Sequence, residues 1–131
     1  MSETATTSGL AVFSVAVEAA GIALRLAVKV PAPLKPVADQ LIRAASSVPA
    51  NLAEGHSRTG RDRAHLWRIA YGSAKEVDSH LQLLVAAGAL NRDRAEDALE
   101  HFDQVRAMTW RLLHPTSDCG CRSGLEDDSK T

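Results

Sequence analysis

Apolar residues return along this chain at steps of three and four, the period of an α-helix packed on one side. From Val37 the series is Leu41, Ala44, Val48, Leu52. A second series holds Leu66, Ala70, Ser73, Val77, Leu81 and Leu84, and a third Ala95, Ala98, Phe102, Val105, Thr109 and Leu112. The leading segment differs. Its charges, Glu18, Arg25 and Lys29, fall at spacings of seven and four on one narrow stripe. Most of the remaining circumference is apolar: Leu10, Val12, Phe13, Val15, Val17, Ile22, Leu24, Leu26 and Val28. A helix apolar over most of its surface is buried on more than one side. A lone four-helix bundle buries one face per helix, so Phe13, Val15, Val17 and Ile22 are expected at a contact between subunits. The other reading is a poorly amphipathic helix in a monomer.

Punctuation residues divide the pattern. Residues 1–7 are a polar lead-in, expected to fray. The first helix should run from about Ser8 to Val30, ended by the link Pro31 to Pro36. The second spans about Pro36 to Gly55. Thr59 and Asp62 form a capping pattern for the third, which should reach about Ala87 and stop at Gly88. Asn91 can cap the fourth, which ends before Pro115. Short connections between long helices predict an all-α, antiparallel up-down four-helix bundle over residues 8–114. Residues 115–131 are polar and acidic, an expected disordered tail.

Composition agrees with one helical domain. The 131 residues suffice for a core, and aromatics make up only 4% of them. A net charge of −1 argues against a uniformly basic nucleic-acid binder, yet the charge is uneven. Arg25 to Lys75 holds nine Lys or Arg against three acids, and Glu76 to Thr131 holds six against eleven. The middle of the chain can therefore meet an anion. The run Leu10 to Leu24 lacks a basic leader, carries Glu18 and reads as too short for a membrane span. Cys119 and Cys121, in the polar tail, make no disulfide framework, so a reducing cytoplasm is the expected compartment.

The most informative stretch is Ser47 to Gly55. Pro49 lies inside a helical pattern, leaves the Ala45 carbonyl without its usual donor and should kink the helix. Asn51 falls beside the apolar stripe and needs a hydrogen-bond partner. Gly55 offers a helix stop.

Candidate chemistry concentrates on the third helix. Arg61, His65, Arg68 and Lys75 share one stripe, with Gly72 in its gap and Arg58 just upstream. A row of cations can lie along a phosphate backbone; a solvated basic face is the plainer reading. Gly72 costs about 1 kcal/mol relative to alanine inside a helix. It marks either the close approach of a neighbouring helix, the preferred reading, or an opening for a ligand. Trp67, Tyr71 and Trp110 read as packing or interface residues rather than base-stacking platforms. Metal and catalytic chemistry find little support. His114, Cys119 and Cys121 fall short of a closed zinc site. His80 stands one position too late after Glu76 for a di-iron motif. No serine has an assignable histidine partner, and no glycine-rich phosphate loop is present. No enzyme activity, cofactor or metal is expected.

Ser47, Pro49, Asn51, Ala53, Glu54 and Gly55 also match the signature of a family of small bacterial four-helix bundle proteins. A second match follows in Gly72-Ser73, Glu76 and the apolar run Leu81 to Leu90 with Gly88. The chain thus resembles, over about Leu10 to Leu113, the proteins encoded in intervening sequences of large-subunit ribosomal RNA genes. It equally resembles the accessory variability determinant of diversity-generating retroelements. The second resemblance implies a cyclic homo-oligomer, a pentameric barrel. It also implies binding to a reverse transcriptase and to template RNA or an RNA/DNA hybrid during mutagenic copying. Members of that group are typically strongly basic, and this chain is not. The first resemblance implies a bundle of unknown role that acts only in protein–protein assembly.

Overall fold

The computed structural model describes residues 2–115, with side chains from Gly9 onward. The expectations for the tail, including Cys119 and Cys121, lie outside the described residues. Among these, four long helices carry the fold and no strand occurs: α1 Ser2–Ala27, α2 Lys35–His56, α3 Gly60–Ala86 and α4 Arg92–Leu113. A single 3-10 turn, Ala32–Leu34, leads into α2, where Pro36 takes a first-turn position that needs no amide donor.

The helix ends follow local chemistry, with three departures from the sequence reading. Helix α1 begins at Ser2 rather than Ser8 and ends at Ala27, three residues before Val30. Thr59 is the N-cap of α3 in extended backbone, but its side chain makes no capping bond. The turn is shaped instead by Gly60, at a φ of 59° that suits glycine. Gly55 does not stop α2, which continues to His56 and closes at Ser57. Two expectations hold. The Asn91 side chain accepts a bond from the Arg94 amide at 3.2 Å. Gly88, at a φ of 80°, closes α3, its amide donating to Val85 O and that of Ala89 to Leu84 O.

Each helix packs on two neighbours, α1 on α2 and α4, and α3 on α2 and α4. The core between them is built on small residues. Ala16, Ala19, Ala23, Ala45, Ala70, Ala74 and Ala98 are fully buried, which lets helix backbones approach closely. Leu41, Leu52, Leu81, Leu84 and Phe102 fill the space between. Thr109, also buried, satisfies its hydroxyl on Val105 O at 2.7 Å.

Helix α1 carries a second message. Gly9–Ala27 spans 19 residues at a mean hydropathy of 1.8, long and apolar enough by that measure to cross a bilayer. The expectation that the run is too short drew its boundary too narrowly. In this fold Val12, Ala16, Ala19, Ala20, Ala23, Leu26 and Ala27 of that stretch face the core. The opposite side holds Leu10, Ser14, Val17, Gly21, Leu24 and Val28, at steps of four and three. Leu10, Val17 and Val28 are 54%, 48% and 76% exposed.

Candidate nucleic-acid interface and the α2–α3 joint

The Ser47–Gly55 stretch forms the joint between α2 and α3. The Ser73 hydroxyl, buried on α3, donates to Ser47 Oγ at 2.9 Å. Asn51 Nδ2 donates to Ser47 O and to Ser47 Oγ, both at 2.9 Å. Asn51 thus has the partner its half-buried position demands. One turn on, the Trp67 indole donates to Leu52 O at 3.3 Å and lies against Gly55. A Cβ on Gly55 would stand 2.6 Å from both Trp67 Cδ1 and Nε1, a distance no side chain tolerates. The role of Gly55 is therefore close approach, not termination. Pro49 sits half-buried within a helix that continues through it.

The last carbonyls of α2 find a partner the sequence reading passed over. Arg63 Nε donates to Gly55 O at 3.1 Å and its Nη2 to His56 O at 2.8 Å. The same guanidinium lies 5.3 Å from the Trp67 ring centroid. A cation at the negative end of a helix is favourable, so Arg63 both caps and neutralises it. The available signal was the spacing from Arg63 to Trp67, one turn of helix.

The basic stripe lies where its period placed it. Arg61, His65, Arg68, Gly72 and Lys75 are all exposed on α3, opposite the buried Ala70, Ser73, Ala74 and Val77. Leu66, expected on the core side, is half-buried. Arg58 is exposed but engaged by Glu54 at 2.9 Å, which lowers its value for an outside anion. Lys75 Nζ lies 5.9 Å from the Tyr71 ring centroid. Arg61 and Arg68 have no ionic partner among the described residues. Around Gly72 an added Cβ would meet nothing within 4 Å. The preferred reading, close packing on a neighbouring helix, fails within this chain because Gly72 points outward.

Beside the stripe, α3 and α4 enclose a shallow groove of about 520 Å³, lined by Tyr71, Asp103, Arg106, Ala107, Trp110 and Arg111. Arg106 bridges Asp78 at 2.9 Å and also binds Asp103. Burial disfavours its charge, but the two carboxylates more than offset this and raise its pKa. Of the three aromatics read together, Trp67 is buried, Tyr71 half-buried and Trp110 48% exposed. Of the four residues expected between subunits, Val17 is open, while Phe13, Val15 and Ile22 are half-buried and Val15 and Ile22 pack on the chain's own core.

The arrangement is that of an all-helical bundle protein with an outward basic stripe. Residues 10–111 match the family model for the 23S rRNA-intervening sequence protein, and the chain belongs to that family. It is also similar to the crystal structure of a protein of unknown function from the S23 ribosomal protein family of Bacteroides thetaiotaomicron. The TM-score is 0.75 at 20% identity, over 81% of this chain and 97% of that one, a likeness of fold. No curated protein matches the chain.

Proposed function

We propose that this chain is a non-enzymatic scaffold that assembles into a ring and binds RNA along α3. The observation that carries the reading is the exposed row Arg61, His65, Arg68 and Lys75, interrupted only by the open Gly72. A protomer built as an antiparallel up-down bundle is supported by Ser47–Ser73 and Leu52–Trp67 between α2 and α3, and by Asp78–Arg106 with the shared groove of Tyr71 and Trp110 between α3 and α4; in both sets the numbers run in opposite directions. Assembly is supported by Leu10, Val17 and Val28, exposed apolar side chains aligned on one face of α1 that a neighbouring subunit would cover. In its fuller form the ring is a pentamer in the cytoplasm. There it holds a reverse transcriptase and its template RNA or RNA/DNA hybrid, the role of the retroelement accessory protein that the Ser47–Gly55 signature resembles.

A second reading is assembly alone, as an intervening-sequence protein with protein partners only. The net charge of −1 and the Arg58–Glu54 pair favour it. A binding titration separates the two. Wild-type protein should bind structured RNA with an affinity that falls steeply with salt, as counterion release requires. Arg61→Gln with Arg68→Gln should lower that affinity and flatten the salt dependence without altering helicity, because both side chains are exposed. Equal binding by wild type and variant, or no salt-dependent binding at all, would assign the chain to protein assembly.

A further inference from the structure

We propose that the groove between α3 and α4 seats an unpaired nucleobase of single-stranded RNA on Trp110, while Arg68 and Lys75 hold the adjoining phosphates. The inference rests on the reading of α3 as an RNA interface and names the ligand class of that surface. Three observations converge on it. Trp110 is 48% exposed, and it lines the groove rather than the core. His114 stacks on it, with ring centroids 4.0 Å apart and planes 22° apart. A base on the Trp110 face away from His114 would extend that stack, and base–aromatic stacking accepts any base because each has a π-face.

The charges fit the same ligand. Arg68 and Lys75 are exposed on α3 within about one turn of Tyr71, which lines the groove, and the exposed Arg111 lines it from α4. The one acid lining the groove, Asp103, is held by Arg106, which also ties down Asp78. An incoming phosphate therefore meets cations that have no ionic partner among the described residues and a compensated carboxylate inside. Gly72 supplies the third observation. It lies between Arg68 and Lys75 with no atom within 4 Å of a would-be Cβ. No side chain stands between the two cations, so a sugar–phosphate backbone can lie directly on the helix. An apolar protein segment would find Trp110 but would leave these cations unmatched.

The test compares three probes on the full chain: a mixed-sequence single-stranded RNA, an abasic oligomer of equal length and phosphate count, and duplex RNA. Binding is read as the fluorescence anisotropy of end-labelled probes, a signal that does not depend on Trp110 and so serves wild type and variants alike. Wild type should bind the single strand about tenfold more tightly than the abasic oligomer, the scale of one base–aromatic stack, and should favour it over duplex. Trp110→Ala should erase that margin while keeping salt-dependent binding of the abasic oligomer, and Trp110→Phe should restore most of it. Equal wild-type affinity for single strand and abasic oligomer overturns the groove assignment and leaves the stripe standing. Failure to bind any probe overturns both. Unchanged RNA affinity in Trp110→Ala, with a changed assembly mass by light scattering, makes the groove a protein contact and overturns the proposal.

Discussion

Two glycines on neighbouring helices answer to opposite constraints. At Gly55 a single added methyl would press into the Trp67 indole at 2.6 Å, and Trp67 is held by its bond to Leu52 O. At Gly72 the same methyl meets open space. Gly55→Ala should therefore destabilise the fold by about 1–3 kcal/mol, the usual penalty for overpacking. Gly72→Ala should stabilise it by up to about 1 kcal/mol, through helix propensity alone. Urea unfolding of the two variants checks both signs; a Gly55→Ala protein as stable as wild type would mean that Trp67 moves freely. At this scale the sequence announced needs better than solutions. The requirement of Asn51 for a partner was legible, and Ser47 supplies it. The roles of Gly55 and Arg63 were not, because both depend on where α3 crosses the end of α2. That packing joins residues 7 to 15 positions apart on two different helices, which a helical repeat does not report.

The helices themselves were largely legible, since each buries one stripe and a stripe has a period. Their ends were less so. The Asn91 and Gly88 signals are self-contained turn chemistry and worked as such. The Thr59 capping pattern did not, because Gly60 in the left-handed region shapes that turn instead. Pro49 is the element-scale test. An interior proline costs about 3 kcal/mol or more in a helix. The unfolded-state entropy it removes is worth only about 0.4–1 kcal/mol. Pro49→Ala should therefore keep the helical content and raise the unfolding midpoint, as alanine returns a donor to Ala45 O. Circular dichroism during thermal unfolding reads both. A lower midpoint would show that the helix gains more from proline's rigidity than it loses in hydrogen bonding.

At the scale of the molecule, surface matters more than core. The core closes within one chain, on alanines and a few large side chains. What remains open is the α1 stripe of Leu10, Val17 and Val28 and the basic row on α3, two surfaces on different helices. The sequence marked both, the first as an excess of apolar circumference and the second as a shared helical face. It missed the groove beside the basic row, because Tyr71 and Trp110 come to line one groove only when α3 and α4 pack. On the proposed reading, a near-neutral chain with one modest basic row would gain RNA affinity chiefly by repetition, with several copies presenting the row together. Assembly is thus the claim on which the rest depends, and multi-angle light scattering at micromolar concentration tests it most directly. The predicted result is a mass several times that of one chain; a single-chain mass that does not change with concentration would contradict it.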